Sequence, residues 1–360
     1  MAWLDFRGIG LSYNLLIFLV GATVTWVAGH HLAKYADIIA KRTRAGQAFI
    51  GILLLGIFVS LPEMVFSSVT AALGNAEIAV NSLLGGVAMV MVMVAVTDVW
   101  AGKEPLTSDV DHPVVLLQAG LTILILTLAA AAIATGDRLL PGIGLVGTWT
   151  SVIAGIYVLS LLLAKYLQRR HPWTSEDEIE SAKSNRHGRR TRRTGKKRRG
   201  EEQSSLTRIG ALTAAAGIGV VVAGTLLAFS AEALTEQTAL GASFIGLIFG
   251  GVATSLPELS TSISAVRRKR EEMAFADAFG TNLCSTALLF VADLLYPGEP
   301  ILNQVGQFSI FAVLLGCALT TVYLVGLVVR YRRPVLRMGV ESLTVLFAAS
   351  VGFALLYGLK

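Results

Sequence analysis

Apolar residues along the chain gather in long blocks and do not recur on a single helix face. About 20 such residues are enough to cross the hydrocarbon core of a bilayer. We count ten blocks that can span it, near residues 11–33, 46–73, 76–100, 113–134, 140–167, 207–233, 240–266, 271–296, 304–330 and 335–357. Gly and Ala occur throughout these blocks, which are much longer than barrel strands. The pattern predicts an all-α polytopic membrane protein with ten transmembrane helices.

Composition agrees with this class and narrows the chemistry. The 360 residues are 54% hydrophobic and only 15% charged, and the 36 glycines suit closely packed membrane helices. Cys284 and Cys317 lie inside predicted spans, so we expect them to serve packing and to form neither a disulfide framework nor a metal site. The sequence shows no nucleotide-binding glycine loop and no Ser/His/Asp arrangement. We therefore expect a protein that is not an enzyme, with no catalytic residues and no cofactor.

Basic residues occur in four of the predicted loops. They follow the first, fifth, seventh and ninth spans, at residues 34–44, 186–199, 267–270 and 330–337. With ten spans these loops share one side of the membrane, and Glu232, Glu236 and Glu299 fall on the other. The positive-inside rule makes the basic side cytoplasmic and both termini extracytoplasmic.

The longest basic segment lies in a polar linker over residues 168–206. Basic runs can bind nucleic acid, but this run has no interleaved aromatic residues and is flanked by glutamates. It also connects two predicted spans. We interpret it as a disordered cytoplasmic linker that faces anionic lipids, with no nucleic-acid partner.

The two halves of the chain repeat each other at a constant offset in residue number. The offset relates Glu63 to Glu258, and it also relates Gly29 to Gly224 and Asp98 to Asp293. Residues 1–167 and 207–360 then hold five spans each, and because five is odd the second half enters the membrane from the opposite side. Inverted repeats with interrupted helices are typical of secondary transporters.

Each half contains the tetrapeptide Ser-Leu-Pro-Glu, at residues 60–63 and 255–258. Pro62 and Pro257 remove a backbone hydrogen bond, so the second and seventh spans should kink or split there. A charged side chain at this depth costs roughly 2.5 to 3.5 kcal/mol. Glu63 and Glu258 therefore require a compensating partner, and no basic residue lies near either motif. A bound cation fits, and two carboxylates would balance one Ca²⁺; without a cation, protonation should neutralise one or both acids.

Hydroxyl groups accompany each acid at helical spacing. Ser60 and Ser255 lie three residues before the glutamates, Ser67 and Ser262 lie four after them, and Thr254 precedes Glu258 by four. The next span of the second half carries a polar stripe of Asp277, Thr281 and Ser285. The alternative role for any one of these hydroxyls is to satisfy a backbone carbonyl within the bundle.

These motifs resemble the two α-repeats of the sodium/calcium exchanger family, within the cation/calcium antiporters. Residues 250–258 read GGVATSLPE and residues 280–282 read GTN, similar to the family's G-T-S-L-P-E and G-S-N. The resemblance implies exchange of Ca²⁺ for a monovalent cation through one central site open to each side in turn, with the first and sixth spans as the gate. It implies a ligand set of Glu63, Glu258, Ser60, Ser255, Thr254, Thr281 and Ser285.

The first repeat departs from the family pattern. Val59, Gly86, Val87 and Val90 stand where the second repeat has Thr254, Thr281, Asn282 and Ser285. Binding of several Na⁺ ions requires more ligands than this half offers, whereas a proton requires few, so the counter-ion is left as Na⁺ or H⁺. Two alternatives stay open: a monovalent cation/proton antiporter, and a membrane protein that senses a cation without transporting it. We expect Asp98 and Asp293, near span ends, to be solvated at the membrane interface.

Overall fold

The computed structural model describes residues 6–42, 59–101, 104–108, 110, 112–138, 146–170, 206–267, 269–331, 334–335 and 337–359. The longer helical segments in this part of the chain are α1 (Leu11–Arg42), α2 (Leu61–Ala72), α3 (Ala76–Thr97), α4 (Pro113–Thr135), α5 (Thr148–Arg170), α6 (Leu206–Gln237), α7 (Ala242–Thr254), α8 (Leu256–Val266), α9 (Glu271–Leu295), α10 (Gln307–Val329) and α11 (Val340–Gly358). The described residues form no β-strand and carry only isolated bridges, such as that between Val335 and Met338. The all-α prediction is confirmed.

Within those ranges, eight helices are long and apolar enough to cross a membrane, and α7 with α8 makes a ninth if the bent pair is one span. The predicted second span begins in residues 43–58, which lie outside the described part, and so do residues 171–205 of the predicted linker. The count of ten spans therefore stays a prediction.

Helices begin at matching positions in the two halves. The repeat offset that relates Glu63 to Glu258 also relates the starts of α1 and α6, α2 and α8, and α3 and α9, which lie at Leu11 and Leu206, Leu61 and Leu256, and Ala76 and Glu271. The centre of the bundle is formed by α3 and α9, whose most apolar windows are 94% and 72% buried. Helices α1 and α6 pack against each other and against the motif-bearing segments α2, α7 and α8.

Glycines bring α3 and α7 into backbone contact. A Cβ atom on Gly85 would lie 2.7 Å from the Leu247 Cα, and one on Gly246 would lie 2.7 Å from the Ile78 carbonyl oxygen. Any larger residue would push the two backbones apart, so the crossing depends on glycine at both positions. This crossing holds α7 against α3 just before the interruption in the seventh span.

Asp98 and Asp293 are buried and bind backbone amides, so the expectation that they are solvated at the interface is wrong. Asp98 accepts hydrogen bonds from the amides of Leu106 and Gly339, at 2.9 and 2.6 Å. Each aspartate lies at the end of the central helix of one half and binds the residue just before the last helix of the other half. These two carboxylates therefore join the halves at opposite ends of the bundle.

Replacing Asp293 by Ala should destabilise the protein by about 3 kcal/mol or more, since a buried charged acceptor is lost and its donors remain buried. The donors are the amides of Ile301 and Gly147, both at 2.7 Å, and the Thr150 hydroxyl at 2.5 Å. Thermal unfolding in detergent measures the effect. The control is Glu299→Gln, which removes an exposed acid from the loop after α9. Equal unfolding temperatures for Asp293→Ala and the wild type would refute the role of this carboxylate.

Candidate cation site

The second Ser-Leu-Pro-Glu motif lies at a helix interruption, and the first lies at the start of a helix. In the second half, α7 and α8 meet at Ser255 with a bend of 45°. In the first half, α2 begins at Leu61, directly after Ser60. The two serines share one backbone conformation outside the helical region, with φ and ψ of −82° and 7° at Ser60 and −91° and 5° at Ser255. The predicted break at Pro257 is confirmed, and the same geometry occurs ahead of Pro62.

The seventh span also departs from an α-helix before its break. Residues Ile245–Gly250 form a π-helical stretch directly ahead of the α-helical turn Gly251–Thr254. Such stretches often occur at functional sites. It could not be predicted from the sequence, because the apolar residues of this stretch are equally compatible with an ordinary helix.

The two glutamates lie in the first turns of the helices that follow the breaks. Glu63 on α2 and Glu258 on α8 are each 2% exposed. Unsatisfied amides at a helix N-terminus create a positive potential that favours negative charge in the first turn. That potential does not replace a partner. Within the described residues, neither motif glutamate belongs to an ion pair, in contrast to Glu232 and Glu236, which both pair with Arg7.

Six buried oxygens around the breaks have no hydrogen-bond partner among the described residues. They are the four carboxylate oxygens of Glu63 and Glu258 and the hydroxyl oxygens of Ser60 and Ser255. The Glu63 carboxyl group lies within interaction range of the Glu258 carboxyl group and the Ser255 hydroxyl group. The structure thus brings together the acids of the two halves, which are far apart along the chain.

The other predicted ligands are buried on neighbouring helices. Thr254 donates its hydroxyl hydrogen to the Gly250 carbonyl at 3.0 Å, which is the alternative role of satisfying the backbone. Ser67 does the same to the Glu63 carbonyl at 2.7 Å. Thr281 and Ser285 are 3% and 2% exposed on α9. Their coordination of a cation stays a prediction.

Gly86, where the first repeat lacks the hydroxyl of Thr281, lies beside the break of the second repeat. A Cβ atom on Gly86 would lie 3.7 Å from the Ser255 hydroxyl oxygen, with no other heavy atom within 4 Å. The position that holds Thr281 in the second half is therefore open space beside a candidate ligand in the first. Asn282 donates to the carbonyl of Val87, its counterpart in the first repeat, at 3.5 Å.

Two features near the acids were not predicted from the sequence. Asp277 accepts a hydrogen bond from Thr261 at 2.8 Å and lies close to Glu258. Its only sequence signal is the polar stripe on α9. Gly29 on α1 lies beside both motif prolines: a Cβ atom at this position would lie 2.7 Å from the Pro257 Cγ and 3.9 Å from the Pro62 Cγ.

This arrangement can hold a hard cation. Among the described residues no group of three His, Cys, Asp or Glu side chains is placed to bind a metal ion. A cation between the two glutamates would therefore complete its shell with hydroxyl and backbone oxygens. Such mixed oxygen shells are those that Ca²⁺ uses.

Comparisons with known proteins agree with the fold. The inner membrane protein YrbG of Escherichia coli (strain K12) is 23% identical over 290 residues, which are 79% of this chain and 80% of that protein. Among solved structures, the H⁺/Ca²⁺ exchanger CAX superposes with a TM-score of 0.65 at 14% identity, covering 96% of this chain and 86% of that one. YfkE superposes with a TM-score of 0.61 at 18% identity, covering 99% of this chain and 97% of that one.

A third solved structure, the sodium-calcium exchanger NCX_Mj, gives a TM-score of 0.59 at 14% identity, with 96% of this chain and 99% of that one covered. At these identities the structural likenesses show a shared fold. A family profile described as sodium/calcium exchanger protein matches residues 13–166 and 209–359, which is most of the sequence. The chain is a membrane protein that belongs to the sodium/calcium exchanger family.

Proposed function

We propose that the protein is a secondary active transporter, and not an enzyme, that exchanges Ca²⁺ or a related cation for Na⁺ or H⁺ by alternating access. The transported cation binds between Glu63 and Glu258 near the bilayer midplane. The observation that carries this proposal is the pair of buried carboxylates whose four oxygens have no hydrogen-bond partner in the described structure.

The proposal follows from the cost of burying charge. Each ionised carboxylate loses its hydration, and the effective penalty in proteins is several kcal/mol per ion unless a partner compensates. No described basic side chain pairs with either acid. A divalent cation cancels both charges at once, and protons can replace it when it leaves. A site that alternates between these two states exchanges one ion for the other.

The number of available oxygens suits Ca²⁺, which takes 6 to 8 oxygen ligands. Glu63, Glu258, Ser60 and Ser255 supply the six unpartnered oxygens. Thr254, Thr281, Ser285 and the carbonyls freed at the breaks are the proposed remainder. The site needs no resident cofactor, because the ions are its substrates.

We further propose ten spans in two inverted halves, residues 1–167 and 207–360, joined by a cytoplasmic linker over 168–206. Helix starts at matching positions and the reciprocal bonds of Asp98 and Asp293 support this division. The basic loops then face the cytoplasm, both termini lie outside, and the linker contacts anionic lipids of the cell membrane.

We propose Na⁺ or H⁺ as the counter-ion, because relatives with this fold include proteins named for each. CAX is named an H⁺/Ca²⁺ exchanger, and NCX_Mj a sodium-calcium exchanger. At Val59, Gly86 and Val90 the first half lacks side-chain oxygens that a multi-Na⁺ site would use. This favours a stoichiometry with few monovalent ions.

Flux through proteoliposomes tests the function. We expect uptake of ⁴⁵Ca²⁺ when an outward Na⁺ gradient or a pH gradient is imposed, and none without a gradient of a counter-ion. Na⁺/H⁺ exchange with no Ca²⁺ movement would replace the proposal by a monovalent cation/proton antiporter. Ca²⁺ binding without any flux would replace it by a cation sensor.

Gly86→Ser should tighten Ca²⁺ binding about fivefold, since one added hydroxyl ligand contributes about 1 kcal/mol. Its Cβ has room, and its oxygen would lie beside Ser255. Calorimetric titration of the purified protein measures the change. Gly86→Ala is the matched control, because it adds the same Cβ without the oxygen. Equal affinities for the Ser and Ala variants would show that this position does not face the ion.

A further inference from the structure

The two halves differ in what lies one helical turn beyond each glutamate. In the second half Thr261 follows Glu258 by three residues and binds Asp277 on α9. The matching residues of the first repeat are Phe66 and Ser82. A polar pair in one half thus replaces an aromatic ring and a serine in the other. This difference is not required by the site, because both glutamates are already present.

In the second half Thr261 bridges Asp277 and the backbone carbonyl of Glu258. The Thr261 hydroxyl oxygen lies 2.9 Å from the Glu258 carbonyl oxygen and 2.8 Å from the Asp277 Oδ2 atom. Both partners are acceptors, so the single hydroxyl hydrogen can serve only one of them at a time. The hydroxyl can therefore turn from Asp277 to the backbone and leave that carboxylate free to hold another positive charge. Beside it, the Glu258 carboxylate is 2% exposed and has no hydrogen-bond partner in the described residues.

The connection leads toward one face of the membrane. Thr261 lies on the Val266 side of Glu258, and Asp277 lies on the Glu271 side of Thr281. These two helix ends are joined by residues 267–270, which form one of the basic loops. One helical turn is about 5.4 Å, so Asp277 is about one turn nearer to that loop than the candidate site.

In the first half the equivalent positions are closed. Phe66 is fully buried, and its ring packs against α7, where a Cβ on Gly250 would lie 2.8 Å from the ring. The Ser82 hydroxyl donates to the Ala79 carbonyl of its own helix at 2.9 Å. Neither residue offers a carboxylate to a cation. The site is thus bordered by an acid on one side and by a packed ring on the other.

We propose that Asp277 is an access site for the transported cation on the side of the basic loops, where an incoming Ca²⁺ contacts this carboxylate before it reaches Glu258. This role presupposes the exchange proposed above. A carboxylate here also offsets the repulsion that Arg267, Lys269 and Arg270 exert on a cation. The first half has Ser82 at the matching position, so the acid acts on one face only.

Sided flux measurements test this role. Initial rates of Ca²⁺ uptake are measured in everted and in right-side-out membrane vesicles, and trypsin cleavage within residues 186–199 identifies the basic face. Asp277→Asn should raise the apparent KM for Ca²⁺ at the basic face about tenfold, equivalent to about 1.4 kcal/mol. The KM at the opposite face should stay within about twofold. Asp277→Glu, which keeps the charge, should restore most of the affinity.

Glu299→Gln is the control, because it removes an exposed acid that we place on the opposite side. Equal KM changes at both faces, or no change in Asp277→Asn, would overturn the access role while the exchange itself stands. A variant that fails to fold is recognised by its elution profile in detergent, and Asp277→Ser, which introduces the residue of the first repeat at this position, then takes its place with the same one-sided increase expected. A wild-type protein that moves no Ca²⁺ would overturn the proposed function and, with it, this role.

Discussion

Glu63→Gln and Glu258→Gln should each reduce Ca²⁺ exchange by about 100-fold or more, the equivalent of about 2.7 kcal/mol of lost cation binding. Glutamine keeps the shape of the side chain but carries no charge, so one carboxylate cannot balance a divalent ion. Both variants should fold, because the native carboxylates make no hydrogen bond with a described residue that the substitution would break. Initial ⁴⁵Ca²⁺ uptake into proteoliposomes measures the loss, and elution in detergent checks the fold.

The effects of the Glu63 and Glu258 substitutions on exchange should also be non-additive. If both acids hold the same ion, the double variant is expected to be no worse than either single variant, because side chains that act together give non-additive effects. Glu77→Gln serves as the control, since Glu77 is an exposed acid on a neighbouring helix. Unchanged transport in either single variant, or a double variant whose loss equals the product of the two single losses, would contradict a shared site.

Gly29→Val should reduce exchange about tenfold or more while leaving Ca²⁺ binding nearly intact, because it obstructs helix movement and not the ligands. A Cβ at this position would lie 2.7 and 3.1 Å from the Cγ and Cβ atoms of Pro257, whose ring cannot rotate away. The barrier corresponds to about 1.4 kcal/mol for each factor of ten. Flux in proteoliposomes and calorimetric binding together separate these two effects.

The packing of α1 and α6 explains why this glycine matters. Gly29 on α1 contacts Pro257, whereas a Cβ on Gly224, its counterpart on α6, would lie 2.9 Å from the Val65 side chain, beyond Pro62 along α2. Helices α1 and α6 thus contact the two motifs at different positions along the helix axes. We propose that they exchange these positions when the site changes sides. Gly210→Val on α6 is the matched control, because a Cβ there meets no heavy atom within 4 Å. Wild-type exchange by Gly29→Val would contradict the proposed gate.

Much of the fold could be predicted from the sequence because membrane helices have strong local signals. Long apolar blocks, a proline inside two of them and a constant offset between the two repeats are visible without coordinates. They led to the break at Pro257, which the structure confirms, and to the prediction that Glu63 and Glu258 share one site. Each of these signals can be recognised from the residue types along the chain alone.

The contacts that the sequence did not show are those between side chains and distant backbone. Asp98 and Asp293 were expected to be solvated because they lie near span ends, and the amides that bind them carry no mark in the sequence. The bond between Thr261 and Asp277 requires knowing how α8 lies against α9. Likewise, the π-helical stretch Ile245–Gly250 lies where Gly246 of α7 contacts the backbone of α3, a contact that the sequence does not show.

The shared site is tested most directly by anomalous diffraction from crystals soaked with Sr²⁺, which stands in for Ca²⁺. We predict one strong peak between the Glu63 and Glu258 carboxylates, and in a Ca²⁺ soak six or more oxygens at about 2.3 to 2.6 Å from the ion. Loss of the peak in Glu258→Gln crystals would accompany the loss of transport. A wild-type crystal that binds Sr²⁺ elsewhere, with no density between the two glutamates, would contradict a cation site shared by the two repeats.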